Sequence, residues 1–245
     1  MQSLSRSYWH PAINPSPKAI TEVADYDGNS DLSVICTQLS ETHTPAQRKR
    51  IITDWCAFFS RPQPVERLWI HFRTPQNLFQ SICSQANLKT LYINGSAIDD
   101  VSPIAGLKSI THLYVGFSSK IKSLDALASL QTLLDLSLEN LQGVTDYSAV
   151  GKLAHLSRLT IEGDGVASMK KAKIATLEPI ANLTQLERLR LTWIDVLDGS
   201  YACLSNLKAL KHLDLPSSRP KDEIKLILEA LAQLESGNVL PTRNA

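Results

Sequence analysis

Hydrophobic and polar positions recur along this chain in one pattern, hydrophobic-x-x-hydrophobic-x-hydrophobic. It is met seven times, as Val65/Leu68/Ile70, Leu88/Leu91/Ile93, Ile110/Leu113/Val115, Leu133/Leu136/Leu138, Leu156/Leu159/Ile161, Leu186/Leu189/Leu191 and Leu210/Leu213/Leu215. Successive starts lie 23, 22, 23, 23, 30 and 24 residues apart, and a fixed period in the twenties predicts a solenoid. The last two apolar positions of each copy alternate with polar ones, which is strand periodicity. Behind the strand, apolar residues return at every third position, as in Ile98, Val101, Ile104 and Leu107, or Val144, Tyr147, Val150 and Leu153. That spacing suits a short helix or 3₁₀ turns. Each repeat then has an apolar edge that only a neighbour or a cap covers.

The flanks supply caps. Thr44 and Pro45 open a helix over residues 44–60, with Thr as N-cap and Pro at the first helical position. Its face of Ile51, Ile52, Trp55, Phe58 and Phe59 lies at helical spacing and predicts a lid on the first repeat. Leu32, Val34, Ile35 and Cys36 just upstream fit a short strand or a helical turn equally well. After Pro216 and Pro220 a closing helix is expected over residues 221–234, followed by a frayed end. Residues 1–30, with Pro11, Pro15, Pro17 and Gly28, read as an extended or disordered arm that Tyr8, Trp9 and Tyr26 could pin. The domain order is therefore arm 1–30, N-terminal cap 31–64, repeats 65–215 and C-terminal cap with tail 216–245. The longer fifth interval places an insertion within Gly163–Lys173, expected as a mobile loop, either a clamp over an acidic partner or a solvated excursion.

The returns Ser102-Pro103-Ile104-Ala105-Gly106-Leu107 and Glu178-Pro179-Ile180-Ala181-Asn182-Leu183 carry a resemblance. Together with the strand pattern, they are similar to bacterial leucine-rich repeats of the short, internalin-like class, over residues 65–215. The resemblance implies an α/β leucine-rich-repeat solenoid: a curved parallel sheet of about seven strands, short helical or 3₁₀ returns, helical caps at both ends, and recognition on the concave side. That family places an asparagine three residues after the last strand leucine. Here those positions hold Arg73, Ser96, Ser118, Leu141, Asp164, Ile194 and Ser218, so the asparagine ladder is absent or replaced.

Composition narrows the function. The 245 residues carry 25 Lys+Arg against 24 Asp+Glu, a net charge of +1, which argues against nucleic acid and against a membrane surface as partner. Cys36, Cys56, Cys83 and Cys203 are widely separated, so reduced thiols are expected rather than a zinc site or a disulfide framework. With no apolar leader in residues 1–7 and no apolar run of membrane length, the expected compartment is the cytoplasm. Phosphate-loop, nucleophile-elbow and metalloprotease motifs are missing, and the six histidines are scattered. About 30 residues follow the last strand, too few for the ligase domain of some repeat-containing effectors. A non-catalytic protein without cofactors is expected.

Strand alternation predicts which side chains face out. One outward column reads Trp69, Tyr92, Tyr114, Ser137, Thr160, Arg190 and Asp214; the column before it reads Arg67, Thr90, His112, Asp135, Arg158, Arg188 and His212. The column after it contains His71, Glu139 and Glu162, with Phe72, Phe117 and Trp193 one step further on. Trp, Tyr and Arg dominate protein interfaces. The candidate partner-binding residues are therefore Trp69, His71, Tyr92, His112, Tyr114, Phe117, Asp135, Glu139, Arg158, Glu162, Arg188, Arg190 and Trp193. The aromatic column could instead stiffen the sheet, or lie under the N-terminal arm. The expectation is a protein, monomeric when free, that holds a partner protein on its concave face, as an immunity protein holds a bacterial toxin domain. The alternatives are a host-directed effector and a regulatory subunit that targets an enzyme.

Overall fold

A computed structural model describes residues 6–240. The seven repeat strands are β2 (Arg67–Thr74), β3 (Thr90–Ser96), β4 (His112–Gly116), β5 (Asp135–Glu139), β6 (Arg158–Glu162), β8 (Arg188–Thr192) and β10 (His212–Asp214). An eighth, β1 (Asp31–Val34), is the stretch that the sequence left open between strand and helix. It joins as the parallel neighbour of β2, and the sheet runs β1-β2-β3-β4-β5-β6-β8-β10. The register of the leucine positions holds from repeat to repeat, with Leu68 beside Leu91, Leu113, Leu136, Leu159, Leu189 and Leu213, and shifts once between His71 and Thr74 where β2 meets β3. These leucines are all fully buried, as are Ile70, Ile93, Ile161 and Leu191 one pleat on. A period of two points both layers to the same side, and a slip of one residue would move them all into water.

The returns behind the sheet close this core. The first is a helix, α2 (Gln76–Ile82). The others are 3₁₀ turns at Ser102–Gly106, Asp125–Ser129, Val150–Lys152, Glu178–Asn182 and Ala202–Asn206. The helix α1 (Pro45–Phe59) caps the N-terminal end through a box in which Gln47 N–H donates to Thr44 Oγ1 at 3.3 Å and Thr44 N–H to Gln47 Oε1 at 2.7 Å. Its Ile51, Trp55 and Phe59 are fully buried, while Phe58 is half-buried. At the other end α3 (Lys221–Ala230) lays Ile224 and Ile227 on the last repeat.

Two expectations are corrected. The insertion is ordered: Asp164 accepts from the N–H groups of Val166, Ala167 and Ser168 at 3.1, 2.8 and 2.8 Å. The chain then enters β7 (Ala172–Ile174), which pairs in parallel with β9 (Ile194–Val196) as a second, two-stranded sheet. The tail is held as far as residue 240, because Glu235 and Ser236 donate to Lys211 O and Leu213 N–H donates to Ser236 O at 3.2 Å. The arm, expected as extended or disordered and open to pinning by Tyr8 and Trp9, is held against β1 and the sheet. Ile20 N–H donates to Ser33 O and Ile35 N–H to Ile20 O, both at 2.9 Å, so Ile20 is annexed to β1. The expected arm residues 1–5 and tail residues 241–245 lie outside the described residues.

The asparagine ladder is replaced piecemeal. Ser96 and Ser118 hydroxyls bond to each other and Ser118 donates to Gly116 O at 3.1 Å. Leu141 and Ile194 fill the same position with buried aliphatic side chains.

Candidate functional site

Parallel pairing in register sets like positions of successive repeats side by side on the outer face of the sheet. Trp69, Tyr92 and Tyr114 are consecutive partners across β2, β3 and β4. The Tyr92 and Tyr114 rings stack with centroids 4.3 Å apart, and the Arg67 guanidinium lies 5.5 Å from the Trp69 ring. Tyr114 lies along β4 toward Glu139 on the neighbouring strand β5 because Gly116 leaves the space: a Cβ at 116 would meet the Tyr114 hydroxyl at 2.6 Å. That hydroxyl donates to Glu139.

The arm lies across these rings. Tyr8 stacks on His112 at 3.9 Å with the planes 25° apart. The Trp9 ring sits 5.6 Å from Tyr92 and 5.9 Å from Tyr114. Arg67 donates to Asn14 Oδ1 at 3.0 Å and to Asp31 Oδ1 at 2.8 Å. Trp69, Tyr114, Asp135 and Arg188 are at most 7% exposed, so four of the expected contact residues are not open surface in this conformation. His112 and Tyr92 are half-buried under the arm, and His71 bonds Ser33 Oγ at 3.0 Å. Sequence alternation fixes which side of the sheet a residue faces. What lies on top of it depends on a segment about 60–100 positions away, which periodicity does not register. The doublet Tyr8-Trp9 in an otherwise polar arm was the one available signal.

Between the arm and the middle strands remains a cavity of about 360 Å³, walled by Arg6 and His10 from the arm and by Tyr114, Ser137, Glu139, Thr160, Glu162 and Arg190 from the sheet. Arg190 donates to Glu162 at 3.3 Å, and the neighbouring Arg188 donates to Thr160 Oγ1 at 3.1 Å. Burial raises Glu139 above the usual carboxylate range, an effect that the Tyr114 hydroxyl opposes. Burial also carries Asp135 up to about 7, although Arg158 and Arg188 pull the other way. His112 is pushed down to about 4, by burial first and by Arg158 second.

A second group lines the rim where the strands end. Phe72, Phe117 and Trp193 are 43%, 39% and 38% exposed. All three hold left-handed backbone, with φ of 63°, 52° and 51°, at the repeat position that Gly95 and Asn140 fill with φ of 77° and 51°. Glycine and asparagine tolerate that conformation; a large aromatic residue is unusual there. Phe117 and Trp193 are in the expected set, whereas Phe72 was only noted beside it. The insertion sits against Trp193, since a Cβ at Gly165 would meet the indole Nε1 at 2.1 Å. Val166 and Met169 stand exposed next to it.

The thiols show no activation. Burial raises Cys36 to about 12 and Cys203 to about 11, and Cys83 is also pushed up. Among the described residues no group of three or more His, Cys, Asp or Glu is placed to hold a metal ion, and no helix is long and apolar enough to cross a membrane.

The fold is that of internalin-like leucine-rich-repeat proteins. An internalin (inlF) from Listeria monocytogenes matches at 25% identity and a TM-score of 0.50, over 66% of this chain and 42% of that one. Internalin C2 (inlC2) from the same organism matches at 22% identity and a TM-score of 0.50, over 71% of this chain and 68% of that one. The chain thus spans well under half the length of the first of these relatives. No protein-family model and no curated protein matches the sequence.

Proposed function

We propose that this internalin-like leucine-rich-repeat solenoid is a non-catalytic module that captures another protein on the outer, concave face of its sheet and along the rim beside it. The observation that carries the reading is the row Phe72, Phe117 and Trp193. Left-handed backbone under a bulky residue costs about 1–3 kcal/mol, and such strain concentrates at functional sites. Exposed aromatic rings on strained backbone, beside the mixed charge of Glu139, Arg158, Glu162 and Arg190, suit a protein interface with aromatic anchors and a polar surround. The finer reading is an inhibitor that neutralises a bacterial toxin domain, acting as a monomer in the cytoplasm. Four free cysteines, two of them buried thiols, support a reducing compartment.

The test is capture from the producing cell. Asparagine already sits at this backbone position in Asn140, so Phe72→Asn with Phe117→Asn should leave folding intact. It should weaken capture by on the order of tenfold or more, since a buried aromatic anchor is worth ~2 kcal/mol. Unchanged capture would sink the rim assignment. If the protein binds a partner without blocking that partner's toxicity, capture stands and the inhibitor reading falls.

A further inference from the structure

The arm is held differently from every other segment of the solenoid. At Ile20 it shares backbone hydrogen bonds with Ser33 of β1 and with Ile35 just beyond it. Before that, among the described residues, the backbone bonds of 7–14 stay inside the arm: His10 N–H donates to Ser7 O, and Ile13 and Asn14 N–H donate to His10 O. Its grip on the sheet comes from side chains, chiefly Tyr8 on His112 and Trp9 against Tyr92 and Tyr114. The seat is imperfect. Asn14 Nδ2 is buried with no partner. An unmade bond of this kind costs the closed arm what a better-fitting segment would recover. Pro15 and Pro17 separate the arm from Ile20; lacking N–H groups, they keep that linker extended and unpaired. Next to the arm, the cavity of about 360 Å³ stays unfilled, with Glu139 and Glu162 in its wall and Arg6 at its edge.

We propose that residues 6–14 are a built-in stand-in for the partner. The outer face of β3–β6 is a docking cleft for an extended protein segment that presents two adjacent aromatic side chains, with a basic side chain directed at Glu139 and Glu162. This rests on the protein-capture reading. The arm shows what the cleft accepts: one ring stacked on His112 and a second set against the stacked pair Tyr92 and Tyr114. The partner's segment reaches into the cavity beside the arm and displaces the arm by swinging it about Pro15–Pro17. Apparent affinity is then the intrinsic affinity reduced by the fraction of molecules with the arm open. Weakening the arm therefore tightens partner capture.

The experiment uses the full chain carrying Tyr8→Ala and Trp9→Ala, titrated by calorimetry with a synthetic peptide of residues 6–14. The expected result is saturable one-to-one binding with a dissociation constant under about 1 mM. The wild-type chain, whose own arm competes, should bind the peptide at least about tenfold more weakly. A peptide with Trp9 replaced by alanine should not bind. Absence of binding to the folded variant overturns the proposal, as does equal binding by variant and wild type, or binding that survives loss of Trp9. Should the variant fail to fold, hydrogen exchange on the wild type decides: the His10, Ile13 and Asn14 amides should exchange faster than those of Ile20 and Ile35. Equal rates overturn it. Failure here is distinguishable from failure of the capture reading. Capture abolished at the rim with no peptide binding removes only the stand-in; peptide binding with no captured protein removes only the capture.

Discussion

At the residue scale, the most informative pair is His112 and Asp135, register partners on β4 and β5. The depressed His112 is largely neutral in the fold down to about pH 4, whereas in the unfolded chain it takes its proton near 6.5. It therefore contributes stability that is present above 6.5 and is lost as pH falls toward 4. The raised Asp135 keeps its proton in the fold up to about 7, while the unfolded chain releases it near 3.8. Stability is then lost as pH rises from about 4 to 7. The two slopes oppose each other over one window. Relative to wild type, Asp135→Asn should make the melting temperature fall more steeply on acidification from 6.5 to 4. His112→Gln should make it fall more steeply from 4 to 7. Parallel profiles for the three proteins would refute the assignment. Neither behaviour was legible in the sequence, where both residues read as exposed interface positions; burial produces both, helped by Arg158 at His112 and opposed by Arg158 and Arg188 at Asp135.

At the element scale, the insertion shows how one carboxylate replaces a repeat's worth of packing. Glycines and lysines in Gly163–Lys173 predict mobility. Asp164 instead gathers hydrogen bonds from the Ser168 hydroxyl and from the Ala167 and Ser168 N–H groups, which also hold its own carboxyl down to about 2. Ala172 and Ile174 then bury their side chains through the ladder with Ile194 and Val196. Asp164→Ala should release the loop: amides of residues 166–168 lose protection and the Trp193 environment changes in fluorescence, while the eight-stranded sheet keeps its exchange pattern. Loss of protection spreading through β6 and β8 would show that the loop and the sheet are one cooperative unit. The aspartate was visible in the sequence at a ladder position. Its partners were not, because they are backbone groups brought round by the turn itself.

At the scale of the whole molecule, repeats touch only their neighbours, so stability is a sum of local stacking terms closed by caps. Trp55 is the centre of the N-terminal cap: fully buried, stacked on Phe59 at 5.7 Å, and donating its indole N–H to Thr21 O at 2.8 Å. Trp55→Ala should cost about 3–5 kcal/mol in denaturant unfolding. The loss should be uneven, with β1 and β2 exchanging first and β8 and β10 least affected. A uniform rise in exchange along all eight strands would contradict the nearest-neighbour picture. The arm tempers that picture, since it ties residues near the N-terminus to β3, β4 and the middle of the sheet.

The sequence alone determined the stacking. A leucine at a fixed period has one way to leave water, against the same leucine of the next repeat, and that specified the parallel register and the returns behind the sheet, while Thr44, Pro45 and an apolar face specified the capping helix. Tertiary structure alone decided what the outer face offers. Outward-facing positions carry no periodic constraint, so their exposure depends on chain segments remote in sequence. Side-chain contacts of Tyr8, Trp9 and Asn14 close over rings that alternation had placed in solvent, and left-handed backbone at the strand ends turns Phe72, Phe117 and Trp193 outward as the surface that remains.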